Sequence, residues 1–202
     1  MAIKRIYIHS SIYPRFLSAL IAYSKNLKLG PGTDHDTYVG PLQNSTQYEN
    51  VQSYFADIEK DSLHPVLGGN ATANDLKEPN KNGFFITPTL IDNPPDTARI
   101  VQEEPFGPIV PLLQWTDEED VISRANDTRF GLGASVWSQD LKRGERMARQ
   151  LEAGSVWVNM HFEVQAHVPY GGHKWSGIGT EWGLAGLKQW CNGQSVWVPK
   201  KV

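Results

Sequence analysis

The sequence predicts an α/β fold with a mainly parallel sheet and flanking helices. Three observations predict it. Short runs rich in β-branched and aromatic residues alternate along the chain with amphipathic segments of about ten residues, the pattern of strand–helix–strand units. One run, Ile109–Trp115, is apolar but for Gln114, as suits a strand covered on both faces. Helix-capping and helix-stopping residues punctuate these segments.

In chain order, Ile3-Lys4-Arg5-Ile6-Tyr7-Ile8 reads as a strand. Ser11 or Tyr13 then opens a helix whose first turn takes Pro14, a residue that needs no N–H partner there. Phe16, Leu20, Tyr23 and Leu27 share one face of it, and Leu29-Gly30-Pro31-Gly32 stops it. Residues 33–41 read as loop. Asn44 or Ser45 caps a second helix with Tyr48, Val51, Phe55 and Ile58 on one face. Residues 62–82 are polar and rich in Gly and Asn, and predict a surface hairpin or loop. Phe84-Phe85-Ile86-Thr87 reads as a short strand that Pro88 confines to an edge or an end. After Ile109–Trp115, Thr116 caps a helix over 117–126, with Glu119 completing a capping box. A strand at 134–138, a helix at 141–151, a strand at 155–159, a long loop to Gly179, a helix near 184–190 and a terminal strand at 195–202 complete the order. No repeat and no linker divides the chain, so the whole of 1–202 is expected to form one domain.

Composition narrows the function. No run of 18 apolar residues exists, and Met1-Ala2-Ile3-Lys4-Arg5-Ile6 lacks the apolar core of a secretory signal. A single cysteine, Cys191, cannot form an internal disulfide, which fits a reducing, cytoplasmic setting. The formal net charge is −3, and the cluster Lys142, Arg143, Arg146 and Arg149 is interrupted by Glu145 and Glu152. Neither nucleic acid nor membrane is an expected partner. Six of the seven tryptophans fall in the last third, which points to an aromatic-lined pocket, a broad interface or plain core filling.

Several motifs carry more. Gln102-Glu103-Glu104-Pro105-Phe106-Gly107-Pro108 is followed by Ala125-Asn126 with Phe130-Gly131-Leu132, then by Ala153-Gly154-Ser155-Val156-Trp157-Val158-Asn159, then by Pro169-Tyr170-Gly171-Gly172-His173-Lys174-Trp175-Ser176-Gly177. Gly40-Pro41-Leu42 and Gly83 to Thr89 precede them. In this order and spacing they resemble the blocks E-x-F-G-P, A-N-x-x-x-Y-G-L, A-G-x-V-x-V-N and P-F-G-G-x-K-x-S-G of the aldehyde dehydrogenase superfamily. The resemblance runs along essentially the whole chain. It implies the C-terminal part of that family's catalytic domain, with 195–202 as an oligomerisation strand that pairs with another subunit.

It also implies site residues. Glu104 matches the glutamate that holds the nicotinamide ribose hydroxyls, a task suited to a carboxylate accepting two O–H donors. Phe106 would lie beside the nicotinamide ring, and Gln47 matches a helix position near the cofactor ribose. Asn159, Phe162, Val164, Tyr170 and Trp175 would wall the substrate tunnel, with Tyr170 standing where phenylalanine is usual.

The family's chemistry requires a cysteine thiolate, oxyanion donors, NAD(P) and a glutamate base. In family order all of these lie at or before the position preceding Met1. The resemblance therefore implies a truncated catalytic domain with only vestigial NAD(P) contacts, no bound cofactor and no metal. Cys191, beyond the terminal helix, reads as a structural thiol.

An initiator methionine at a strand start favours a genuine short protein over an excised piece. Its expected function is cofactor-free chemistry on a small molecule in the old tunnel, such as isomerisation, cyclisation or dehydration. His161, Glu163 and His167 would supply the proton transfer, because imidazoles exchange protons near neutrality and a carboxylate can orient one of them. The plainer reading gives that loop no chemistry. The alternatives are a fragment of an NAD(P)-dependent aldehyde dehydrogenase and a non-catalytic regulatory subunit. Exposed apolar faces predict a homo-oligomer.

Overall fold

The computed structural model of the chain describes residues 2–70 and 82–200, and its contacts gather into two compact units, 2–121 and 122 onward. In the first unit β1 is Ile6–His9, α1 is Tyr13–Ser24, α2 is Ser45–Lys60, β2 is His64–Leu67, β3 is Thr89–Asp92, α3 is Arg99–Gln102 and β4 is Ile109–Trp115. Helix α4, Glu118–Asn126, spans the boundary between the units. The sheet runs β1-β4-β3-β2, with β4 parallel to both neighbours and β2 antiparallel to β3.

Strand β4 shows why its sequence is mostly apolar. Leu113 belongs to a cluster built with Ile91 and the α2 residues Val51, Tyr54, Phe55 and Ile58. Leu112 belongs to another, with Ile8, Leu90 and Tyr13. Adjacent strand residues point to opposite faces, so both faces of the inner strands are covered. Helix α2 starts as expected, the Asn44 side chain accepting from the Gln47 N–H.

Four expectations in this unit are corrected. Helix α1 buries Tyr13 and packs Leu17, Leu20 and Ile21, leaving Phe16 and Tyr23 exposed. The segment is apolar on nearly every side, so helical spacing alone does not select the buried face. Residues 84–87 form no strand, although Phe85 and Ile86 are buried. The ladder begins beyond Pro88, which has no N–H to give it; Thr89 N donates to the Pro108 carbonyl at 2.8 Å. The resulting β3 is an inner strand. The polar stretch 62–82 contains β2, while its residues 71–81 lie outside the described ones. The cap of α4 is Asp117 rather than Thr116, its carboxylate accepting from Asp120 N at 2.9 Å.

In the second unit β5 is Phe130–Gly131, β6 is Gly133–Val136, α5 is Leu141–Ala148, β7 is Ser155–Val158, β8 is His173–Lys174 and α6 is Gly183–Gln189. Strands β6 and β7 pair in parallel across α5, while β5 and β8 pair antiparallel. Asp140 caps α5 by accepting from Arg143 N. Gly144 lets that helix approach β7: a Cβ there would lie 3.0 Å from a Val158 methyl. Parallel pairs thus predominate, as the sequence predicts.

Residues 195–200 are not a strand, and Val196, Trp197 and Val198 are exposed. A strand exists through its ladder, and none of the described backbone pairs with this segment. No described helix is long and apolar enough to cross a membrane.

Candidate functional site

The candidate residues fall into two groups, one in each unit. In the first unit Glu104-Pro105-Phe106-Gly107-Pro108 forms a turn ahead of β4, and α2 fastens it. Gln47 Nε2 donates to the carbonyls of Pro105, at 2.7 Å, and Phe106, at 3.3 Å. Gly107 presses against α2 so closely that a Cβ would meet both Val51 methyls at 2.8 Å. Phe106 adopts φ 51°, an uncommon conformation for a bulky residue, and its ring is 72% exposed. The turn is therefore fixed while its aromatic side chain is presented outward. Glu104 beside it is half-buried.

A charged network backs this turn. The Arg99 guanidinium lies 4.0 Å from the centre of the Tyr54 ring and donates to Glu103 Oε2, Asp57 Oδ2 and Ser53 Oγ at 2.8, 3.0 and 2.9 Å. Tyr54 donates to Glu103 at 3.0 Å. Burial, together with that hydrogen bond to a carboxylate, pushes the Tyr54 hydroxyl up to about 12. On the other side, Lys4 Nζ donates to the Gln102 carbonyl at 3.0 Å. Its burial and the adjacent Arg5 outweigh Glu104 and Glu103, and bring the amine down to about 8.

In the second unit the loop after β7 is anchored at both ends. Asn159, at φ 55°, gives its whole amide to Ser138: Oδ1 accepts from Ser138 N and Nδ2 donates to Ser138 O, both at 2.8 Å. These two bonds brace the start of the loop. At the far end a Cβ on Gly154 would lie 1.7 Å from the Gly171 carbonyl oxygen, so only glycine fits. Between these anchors, Trp157 Nε1 donates to the Glu163 carbonyl at 2.8 Å, and the His161 ring meets the Trp157 ring edge-on at 5.4 Å.

No hydrogen bond joins His161 to Glu163 or His167. Both His161 ring nitrogens are shielded from water without a hydrogen-bond partner, whereas Glu163 and His167 are exposed. The Glu163 carboxylate accepts a long bond, 3.5 Å, from Gln165. Phe162 sits at φ 60° and is exposed; Val164 is half-buried. Tyr170 pairs its backbone with Glu181, both bonds 2.8 Å, and packs its ring 5.4 Å from Trp182. Trp175 is 73% exposed, with the Arg129 guanidinium 5.2 Å from its ring centre. A hollow of about 140 Å³ in this unit is lined by Gly154, Pro169, Gly171, His173 and Thr180, and by none of the three expected acid–base residues. No cluster of His, Cys, Asp or Glu that could hold a metal occurs among the described residues.

The tryptophans of the last third are mostly not core filling. Trp157 is buried, while Trp137, Trp175, Trp182, Trp190 and Trp197 are exposed. Lys4, the Arg99 network and the Gly154–Gly171 contact were not singled out from sequence. Of these, only the glycines carry a signal there, as members of recognisable blocks.

A mainly parallel sheet, an E-P-F-G-P turn locked on a helix and a loop pinned by A-G and G-G backbone contacts mark a class of protein, those with the aldehyde dehydrogenase catalytic-domain fold. The aldehyde dehydrogenase family matches residues 1–196, and the chain belongs to that family. The betaine aldehyde dehydrogenase of Mesorhizobium japonicum is 37% identical over 194 residues, covering 96% of this chain and 39% of the relative. An aldehyde dehydrogenase from Bacillus cereus in complex with NAD+ superposes with a TM-score of 0.89 at 38% identity, over 98% of this chain and 39% of that one. The betaine aldehyde dehydrogenase of Staphylococcus aureus in complex with NAD+ gives 0.86 at 36% identity, over 98% and 41%. The chain thus spans about two-fifths of the length of the relatives it matches.

Proposed function

We propose that these 202 residues serve as the C-terminal part of an aldehyde dehydrogenase catalytic domain, and that they do not oxidise aldehydes unaided. The observation carrying this reading is the preserved turn: Gln47 and Val51 hold Glu104-Pro105-Phe106-Gly107 in a fixed, outward-presenting shape that has no evident purpose without a ligand. The residues fit the nicotinamide end of a dinucleotide. Glu104 would accept the ribose hydroxyls, and Phe106 would offer a flat apolar face beside the ring. When bound, NAD(P) supplies the hydride acceptor. The chain's own part is to orient that acceptor and to wall the aldehyde's path with the loop after Asn159.

Thiol attack is not available from this chain. Cys191, its single cysteine, is exposed just beyond α6 and contacts the Leu187 carbonyl at 3.6 Å. None of the described histidines or carboxylates hydrogen-bonds to it, so no base is positioned to activate it. Purified chain mixed with NAD+ and betaine aldehyde should therefore produce no NADH absorbance at 340 nm. Sustained NADH formation by the chain alone would overturn this reading.

A second reading rests on one observation, the sheltered and unpartnered His161 imidazole. It assigns the loop a cofactor-free isomerisation, cyclisation or dehydration of a small molecule. That role predicts that His161→Ala abolishes turnover without unfolding the protein, while Glu163→Gln and His167→Ala, being remote from any shared hydrogen bond, have smaller effects. Equal and negligible effects of all three would remove it.

For assembly, we propose that 195–200 becomes a strand by adding to the sheet edge of another subunit, which would cover Val196, Trp197 and Val198. Gel filtration should show an oligomer that Trp197→Asp dissociates; a stable wild-type monomer would count against it.

A further inference from the structure

The dipeptide Asn-Gly occurs twice in the chain, at Asn82-Gly83 and Asn192-Gly193, and the fold treats the two copies differently. Asn192 lies beyond α6 in a stretch that takes no helix, strand or turn, and both residues of the pair are exposed. Among the described residues neither the Asn192 amide nor the Gly193 N–H has a hydrogen-bond partner. A Cβ on Gly193 would meet nothing within 4 Å, so the space around its nitrogen is open. Asn82 is exposed too, but its backbone is held in a 3-10 turn.

Other asparagines have their amides occupied. Asn159 gives both ends of its amide to Ser138. Asn126 donates to the Gln150 carbonyl at 2.8 Å and accepts from Glu152 N at 2.9 Å, and Asn93 accepts from Gln114 N at 2.9 Å. Such bonds fix the side-chain torsions, and a side chain on the residue that follows each of them (Met160, Asp127, Pro94) crowds the next backbone nitrogen. Glycine imposes no such crowding and lets the backbone turn freely. An asparagine side chain can close a five-membered ring on the next backbone nitrogen only when both torsions are free to bring them together. The helical ψ of a 3-10 turn holds that nitrogen away from the side chain at Asn82, and nothing does so at Asn192.

We propose that Asn192-Gly193 is the chain's preferred site of spontaneous deamidation, with water as the co-reactant. The Gly193 nitrogen gives its proton to solvent and attacks Asn192 Cγ, forming a new C–N bond. The side-chain nitrogen takes up a proton and leaves as ammonia, and a succinimide ring remains. Water then adds to either ring carbonyl and opens the ring, giving aspartate or isoaspartate. Asparagine plus water gives the acid plus ammonia, with no electron transferred and no cofactor or thiol required. The product carries a new negative charge and, as isoaspartate, one extra main-chain carbon, just ahead of residues 195–200. Neither NAD+ nor an aldehyde takes part, so this chemistry is independent of the function proposed above.

The test incubates the full chain in mildly alkaline buffer and samples it over time. Peptide mass spectrometry reads the conversion of amide to acid at each asparagine, and chromatography separates the isoaspartyl peptide from the aspartyl one. In the folded chain Asn192 should convert at least about tenfold faster than Asn82, Asn93, Asn126 or Asn159, because its ring closure meets neither a neighbouring Cβ nor a fixed backbone. Unfolding in urea should let Asn82 catch up while Asn192 keeps its rate. Gly193→Ala, for which the fold has room, should slow Asn192 at least about tenfold and leave the other sites as they were. Conversion of Asn82 as fast as Asn192 in the folded chain overturns the proposal, and so does an unchanged Asn192 rate in Gly193→Ala.

Discussion

The two units of the chain are held together by different physics. In 2–121, β3 and β4 lie within a sheet covered on both sides, and Ile91, Leu112 and Leu113 have no exposed surface. In the second unit the buried large side chains among the described residues are Met147 and Trp157, and Ile178, Leu184, Trp190 and Trp197 are exposed. There the chain is shaped by hydrogen bonds from side chains to backbone and by glycine-to-backbone contacts. The comparison teaches that apolar burial sets the first unit, while directional bonds set the loop that the second unit carries.

Substitutions at three positions sharpen or break this contrast, the largest effect first. Leu113→Ala removes a fully buried side chain from the α2 cluster and should cost about 4 kcal/mol in urea denaturation. Met147→Ala, 9% exposed at the margin of a smaller core, should cost about 2 kcal/mol. Equal costs would erase the distinction. Asn159→Ala breaks both bonds to Ser138 and strains a φ of 55°, for a loss of about 2 kcal/mol. Asn159→Gly relieves the strain alone and should recover part of it. If both variants match wild type in thermal melts, hydrogen bonds do not govern this unit.

The smallest effect is one of pH. Tyr54 keeps its proton to about 12 when folded and releases it near 10 when unfolded. Its contribution is therefore complete below pH 10 and is lost as pH rises from 10 towards 12. Tyr54→Phe should make the alkaline fall in melting temperature shallower. Some slope should remain, because burial and the hydrogen bond to Asp92 raise Tyr13 as well. An unchanged slope would mean that the Arg99 network does not hold Tyr54 as described.

What the sequence shows and hides follows the same division. Strand β4 was legible because burial on both faces writes an apolar run from Ile109 to Leu113, and α2 because Asn44 and the spacing of Val51, Phe55 and Ile58 agree. Strand β2 was hidden: His64-Pro65-Val66-Leu67 is short, contains a proline and sits in polar text. The α1 face was ambiguous because apolar residues surround that helix. In the candidate site the motif blocks were readable in order, but the directions of loop side chains were not. Positive φ at Asn159 and Phe162 turns the chain in ways that spacing cannot convey, and no hydrogen bond joins His161 to Glu163 or His167. Lys4 was hidden for another reason, since a lysine's burial is decided by residues a hundred positions away.

The two anchors of the loop after β7 have an evolutionary consequence. Asn159 fastened to Ser138 and Gly171 in contact with Gly154 act as fixed posts, so the residues strung between them form a replaceable cassette. Its side chains can be exchanged wholesale while the posts and the strands behind them stay where they are.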